Sequence, residues 1–270
     1  MTRLVERERE LEVLEGALAV ARAGEGRVIV VEAPAGCGKT ALVSVAKRDA
    51  VGFLSLTGRG GEFERAAGFG VVRDLYGAAV ATASAEPMLA GAAQLAKPLL
   101  FADSIAVSKL DAAALYHGLY WLTANLASER PLLLAVDDAQ WADVASLRYF
   151  EYLAARLDAI PCVLLLAWRP GERDSDEGFV GRLLDIAHAI HVIPKPLSRA
   201  GSGTLIRSRV SAEVSDELVD HCHTASAGNL FLLHELAGEI SRRRSGSSQD
   251  SMLEWLAERG GHGTSDSVPE

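Results

Sequence analysis

Three unbroken apolar runs punctuate the chain, at 28–31 (VIVV), 132–136 (LLLAV) and 162–167 (CVLLLA). Runs of strand length without alternation are buried on both faces, as in a parallel sheet. Shorter runs at 53–56 and 191–193 read as two more strands, and residues 58–61 as a turn. Between the strands, apolar positions recur at helical spacing. Leu11, Leu14, Leu18 and Ala21 mark a helix over 4–23, and a second helix covers 39–49. Segments 68–83 and 87–100 are helically spaced and read as an insertion packed on the sheet. Asp111 caps a helix that carries Leu115, Leu119, Leu122 and Leu126 beside Tyr116, Tyr120 and Trp121, an aromatic face assigned to the core. Asp143 caps the next, with Leu147, Phe150, Leu153 and Leu157 inward, and a further helix spans 178–188. Five βα-type units in succession place the chain in the α/β class.

The first buried run leads into Ala33, Pro34, Ala35, Gly36, Cys37, Gly38, Lys39 and Thr40. Small residues followed by Lys-Thr at a helix start are what a phosphate loop requires. Backbone N–H groups curl around phosphate oxygens, the lysine adds a point charge and the threonine hydroxyl serves Mg²⁺. This pattern begins with Ala33 where Gly is usual. Cys37, beside Lys39 and a helix N-terminus, is expected to be the fastest of the thiols to alkylate, because both neighbours favour thiolate.

The second run ends in Asp137 and Asp138. Two adjacent acids at a buried strand tip need a cation or a base role to offset their repulsion and desolvation. Beside a phosphate loop both reasons exist: Asp137 holds the Mg²⁺ shell, and Asp138 orients or deprotonates the attacking water. The third run ends in Trp168-Arg169-Pro170-Gly171. An arginine at the carboxyl tip of a parallel strand sits on the edge where such sheets bind ligands, so Arg169 either touches the γ-phosphate or opens a surface turn.

Pro194-Lys195-Pro196 cannot continue helix or strand and sets a boundary, giving a 1–196 ATPase domain, a 197–243 helical lid and a 244–270 flexible tail. The lid reads as three helices over 198–210, 215–226 and 229–242, the last with Leu232, Leu233, Leu236 and Ile240 on one face. His221-Cys222-His223 is not taken as a metal site, since neighbours one and two apart on a helix do not converge. The tail holds an apolar island at Met252, Leu253, Trp255 and Leu256.

Composition narrows the field. The 270 residues are 49% hydrophobic, enough for a sizeable core, and no apolar run reaches bilayer-spanning length. A charged N-terminus without a signal-peptide core points to the cytoplasm. Three cysteines in separate elements argue for free thiols. A net charge of −9 opposes a broad nucleic-acid footprint, so neither direct DNA binding nor membrane association is expected. The charge-dense start VERERE reads most simply as a solvated helix end.

Taken together, LVERERELEVL, VVEAPAGCGKTALV, GFGVVRDL, LLLAVDDAQWAD, LAWRPGE and AGNLFLLHEL resemble the nucleotide-binding module of the large ATP-binding LuxR-family regulators over residues 3–240. These are bacterial signal-transduction ATPases of the STAND class, relatives of AAA+ proteins. The resemblance implies a P-loop NTPase fold: a five-stranded parallel sheet flanked by helices, the Arg-bearing strand between the phosphate-loop and Asp-Asp strands, and then a small helical lid. It implies ATP/ADP and Mg²⁺ as cofactors, slow hydrolysis, and a protein partner or self-association. Arg7 would lie near the nucleotide, Arg169 would sense the γ-phosphate, and Gly228 and Asn229 would contribute from the lid. Glu6 stands where the family has Gly before Arg7, and Leu230 where its Gly-Asn-Pro motif has Pro. The winged helix, sensor array and helix-turn-helix that would follow are not in this sequence, so it reads as an isolated or truncated switch module. The alternative is a nucleotide-binding scaffold without turnover.

Overall fold

The computed structural model describes residues 4–62, 68–81, 85–101, 111–172, 176–210 and 214–243. The tail at 244–270, with its apolar island, lies outside them. By compactness the chain divides into a larger unit, Arg9–Pro34 with Lys39–Ile193, and a smaller one, Met1–Glu8 with Ala35–Gly38 and Pro194–Glu270.

The larger unit is a five-stranded sheet of β1 (Arg27–Glu32), β2 (Leu54–Arg59), β3 (Leu132–Asp137), β4 (Cys162–Trp168) and β5 (Ala189–Val192), all parallel, in the order β2-β3-β4-β1-β5. As expected, β4 lies between the strand that feeds the phosphate loop and the strand that ends in paired acids. Every residue of β4 is buried, as are all of β3 but its final Asp137, because helices cover both faces. Those helices are α1 (Glu8–Arg22), α2 (Lys39–Asp49), α3 (Gly70–Val80), α4 (Ala85–Met88), α5 (Lys97–Phe101), α6 (Ala112–Glu129), α7 (Val144–Ala154) and α8 (Glu177–Leu184). With every strand parallel, the carboxyl ends of β1, β2, β3 and β4 share one edge.

Several boundaries differ from the sequence reading, for physical reasons. Helix α1 starts at Glu8, because Glu6 adopts a left-handed φ of 53° that a helix cannot include. The expected turn at 58–61 is half strand. Gly58 pairs in register with Val136 and lies against Val71, where a larger residue would crowd, so β2 runs on to Arg59. The 87–100 segment is broken in three, since Gly91 turns the backbone at φ 61° and Pro98 has no N–H for an earlier turn; a 3₁₀ turn, Gly91–Ala96, lies between α4 and α5. Helix α8 ends at Leu184, short of 188, and β5 is displaced toward the N-terminus from 191–193. Trp121 is not core: it is exposed and donates to His117 one turn back. Of the insertion, α3 packs on the sheet through Val71, Val72, Leu75 and Tyr76, whereas the 87–100 segment packs on α6 instead; the Tyr76, Thr123 and Tyr149 hydroxyls close a buried ring of hydrogen bonds.

The smaller unit is built on α9 (Arg199–Arg209), α10 (Asp216–Ser226) and α11 (Leu230–Arg243) around Leu197, Leu205, Ile206, Leu218, Leu233 and Ile240. Ser198 and Ser215 cap the first two helices. Leu232, expected inward, is exposed, and Leu233, Ala237 and Ile240 carry the buried stripe. Gly228 has φ 74° and receives the Leu197 N–H on its carbonyl at 2.8 Å; a Cβ there would strike the Leu197 carbonyl. His221 turns to the Glu217 carbonyl, His223 to the Ser202 hydroxyl, and Cys222 to the core, so the triplet diverges.

Candidate functional site

Strand β1 stops at Glu32 and α2 starts at Lys39, leaving residues 33–38 free of regular structure. Gly36 (φ 76°) and Gly38 (φ 91°) take left-handed conformations that give the loop its curl. The first N–H groups of α2 have no partner within the helix and form an anion-binding end. Lys39 is buried, and its ammonium donates to the carbonyls of Ala33 (2.6 Å) and Pro34 (2.9 Å), which holds its charge against the start of the loop. The Thr40 hydroxyl donates to Oδ2 of Asp137 at 2.8 Å, joining two residues 97 positions apart.

Asp137 also accepts the Asp138 N–H on Oδ1 at 3.0 Å. Asp138 itself sits at φ 49°, ψ 41°, a left-handed conformation that Asp tolerates better than most residues. Its carboxylate does not stand alone. Arg59 at the tip of β2 donates to Oδ2 through Nε (3.1 Å) and Nη2 (2.7 Å), and Gln140 donates to Oδ1 at 3.3 Å. The hydrogen bond from Arg59 to Asp138 and the attraction between them raise the arginine's pKa further above its ordinary value. Arg169 gives its backbone N–H to Gln140 Oε1 at 3.0 Å and its Nη1 to Glu172 at 2.8 Å, while its buried Nε has no partner among the described residues.

Within the smaller unit, Arg7 is 4% exposed. This corrects the solvated-helix-end reading of VERERE at Arg7: the guanidinium donates to the carbonyls of Cys37 (3.2 Å) and Lys195 (2.8 Å), in addition to Glu6 (2.7 Å). Glu6 turns the other way and accepts from the Ser198 N–H (2.8 Å) and hydroxyl. Burial works against ionising Glu6, but Ser198, the Gly201 N–H and Arg7 outweigh it and hold its pKa below the ordinary value. Asn229 donates to the Ala35 carbonyl at 2.9 Å and accepts the Phe231 and Leu232 N–H groups, so it both grips the loop and caps α11. A Cβ on Gly36 would collide with the Asn229 amide. Leu230 occupies the first helical position, where Pro would also fit. Gly228 shapes the turn before it.

All three cysteines are buried, so exposure does not single out Cys37. Burial raises the pKa of Cys162 well above the thiol range and that of Cys222 to about 11.

The predicted residues thus fall into two groups, Ala33, Pro34, Lys39, Thr40, Asp137, Asp138 and Arg169 in the larger unit and Arg7, Ala35, Gly36, Cys37, Gly38, Gly228 and Asn229 in the smaller. Sequence reasoning missed Arg59, Gln140 and Glu172. Gln140, within the motif DDAQWAD, and Glu172, at the end of LAWRPGE, carried a signal; Arg59 did not. The donor set suits a triphosphate and a hard cation. Magnesium takes oxygen ligands at about 2.1 Å in octahedral geometry, which puts neighbouring ligands about 2.9 Å apart. Thr40 and Asp137 offer two oxygens at nearly that separation.

Comparison with known proteins agrees with this arrangement. Residues 3–166 match the model of the AAA ATPase domain. Among curated proteins there is no significant match. The fold is similar to the Walker-type ATPase paby2304 of Pyrococcus abyssi (TM-score 0.55, 14% identity, 94% of this chain and 71% of that one). It is also similar to a RuvB mutant of Thermotoga maritima (0.53, 14%, 94% and 70%) and to AMPPCP-bound DnaA of Aquifex aeolicus (0.53, 14%, 93% and 65%). At these identities the likeness speaks to fold, and the fold is that of a P-loop NTPase. With more than half its length matched by the family's model, the chain belongs to the AAA ATPase domain family.

Proposed function

We propose that the chain is an ATP-binding, Mg²⁺-dependent molecular switch that hydrolyses slowly and serves as the nucleotide module of a bacterial signal-transduction regulator of the LuxR and STAND kind. The observation that carries the Mg-nucleotide part of this reading is the 2.8 Å contact between Thr40 and Asp137, a loop hydroxyl and a strand-tip acid brought together as a pair of hard ligands; the regulator role rests on the sequence resemblance. Bound Mg-ATP supplies the phosphoryl group and the charge neutralisation that its transfer needs. The loop, residues 33–40, receives the phosphates, with Lys39 as the fixed positive charge. Thr40 and Asp137 hold the metal, Asp138 orients or deprotonates water, and Arg169 answers the terminal phosphate. Arg7 and Asn229 fix the loop through Cys37 and Ala35, and Gly228 shapes the turn that precedes Asn229.

Slow turnover is supported by the state of Asp138, whose Oδ2 is already engaged in an ion pair with Arg59. The proposed organisation is 1–196 ATPase, 197–243 lid and 244–270 tail, acting in the cytoplasm through a protein partner or self-association. Among the described residues no helix is long and apolar enough to cross a membrane.

The same ion pair favours a second reading, a nucleotide-binding scaffold that does not turn over. Calorimetry and phosphate release separate the two. Under the first reading Lys39→Ala loses most ATP affinity, Thr40→Ala weakens Mg²⁺-dependent binding, and Asp138→Asn keeps affinity while cutting turnover by about a hundredfold or more. A parent that binds ATP tightly and releases no phosphate supports the scaffold. Lys39→Ala binding as tightly as the parent removes both.

A further inference from the structure

Gln140 is fully buried, yet its amide faces two groups of opposite hydrogen-bonding sign. The backbone N–H of Arg169 can only donate, and it lies 3.0 Å from Oε1. The carboxylate of Asp138, when ionised, can only accept, and its Oδ1 lies 3.3 Å from Nε2. These partners fix the orientation of the amide, since a flipped Gln would oppose donor to donor and acceptor to acceptor. No other side chain of this length meets both demands: Glu would satisfy Arg169 and repel Asp138, and Leu or Met would satisfy neither. The short 3₁₀ turn Ala139–Trp141, entered from the left-handed Asp138, puts the side chain at this spot. A buried amide that spans the tips of two adjacent strands is a link that resists opening, because each of its two bonds is made away from bulk water.

We propose that Gln140 is a positioning residue whose amide ties the Asp138 carboxylate to the backbone of Arg169, so that the acid at the tip of β3 and the arginine at the tip of β4 move together. A displacement of Arg169 by whatever it contacts then reorients Asp138 without any direct bond between their side chains. Arg59 holds the other oxygen of Asp138 from the exposed side, so Gln140 supplies the buried half of the grip. The catalytic consequence rests on the reading of Asp138 as the acid that handles water; the link itself does not.

The test uses the full chain and two kinds of readout. In nucleotide-free protein, the amide resonance of Arg169 is followed by ¹⁵N NMR. Asp138→Asn is expected to shift it in the parent and to leave it in place in a Gln140→Leu background. Gln140→Glu, which keeps the acceptor and the shape, is expected to retain slow hydrogen exchange at Arg169, whereas Gln140→Leu exchanges at least tenfold faster. An Arg169 amide that ignores Asp138→Asn in the parent, or responds equally in both backgrounds, overturns the proposal. In turnover, Gln140→Leu and Gln140→Glu are both expected to lower kcat by about ten- to a hundredfold at nearly constant KM, the scale of a misplaced catalytic group. Neither is expected to add to the loss caused by Asp138→Asn. Fully additive losses would mean that Gln140 acts through general stability, and the proposal falls. A parent that releases no phosphate while the NMR coupling is present removes the hydrolysis reading and leaves the link standing.

Discussion

In β4 all seven side chains from Cys162 to Trp168 are buried, and all are apolar or nearly so. At Arg7 an equally buried side chain is a full charge, satisfied by the carbonyls of Glu6, Cys37 and Lys195. The strand is positioned by the removal of hydrocarbon from water, which has no direction, and by a ladder that any sequence could form. The N-terminal arm is positioned by bonds that specify particular atoms. The larger unit could therefore exchange many core side chains of similar volume and keep its architecture. The smaller unit has an apolar core of its own, but its N-terminal arm and loop depend on a few polar side chains, Glu6, Arg7 and Asn229, that answer named backbone groups.

The difference can be tested by removing one element of each kind. Leu164→Ala, in the middle of β4 with strands on both sides, should cost about 2–5 kcal/mol in urea unfolding followed by far-UV circular dichroism. Arg7→Ala should follow at about 3 kcal/mol, because it strands the buried Cys37 carbonyl and the part-buried Lys195 carbonyl. Arg7→Lys should recover less than half of that, since an ammonium keeps the charge but lacks the fork that reaches separate carbonyls. Full recovery by lysine would show that charge, not geometry, is what the arm uses.

Asn229→Ala should cost about 1–2 kcal/mol through the lost cap of α11, whereas Asn229→Asp keeps the cap and loses only the donor to Ala35. If the two variants are equally unstable, the loop contact matters more than the cap. The smallest effect belongs to Glu6→Gln, below about 1 kcal/mol at neutral pH once solvent screening is allowed for. Its pH dependence has a definite sign. Because folding lowers the Glu6 pKa below 4.5, the carboxylate's contribution is present above that value and is lost as pH falls through the folded-state value. The stability curves of parent and Glu6→Gln should therefore converge on the acid side, and parallel curves down to the acid limb would remove the contribution.

The same contrast decides what could be read from the sequence. β1, β3 and β4 declare themselves because burial on both faces leaves an apolar run, and α2 is placed by the phosphate loop before it. β2 was half hidden, since Gly58 looks like a turn until Val71 and Val136 are placed against it. Arg59 escaped notice for the same reason, because only the β2–β3 register aligns it with Asp137 and brings it to Asp138. Arg7 was visible as a residue of interest only through family resemblance. Its burial comes from partners 30 and 188 positions away, which no local pattern records. Gln140 sat in a motif that was recognised, but the motif does not say that its amide would join two strand tips.

The strand order carries one more consequence, for how the molecule comes into being. β1 precedes the other strands in the chain, yet both of its neighbours, β4 and β5, lie at its far end, at Cys162–Trp168 and Ala189–Val192. The β2–β3 pair can zip as soon as residue 137 is available, while β1 has no edge to join until β4 has been made. Such long-range pairing is slow to form and leaves its strand unpaired in the interim. On the ribosome the phosphate loop is thus synthesised early and shaped late. Nascent chains cut before about residue 168 should carry the whole GCGKT motif and bind no nucleotide.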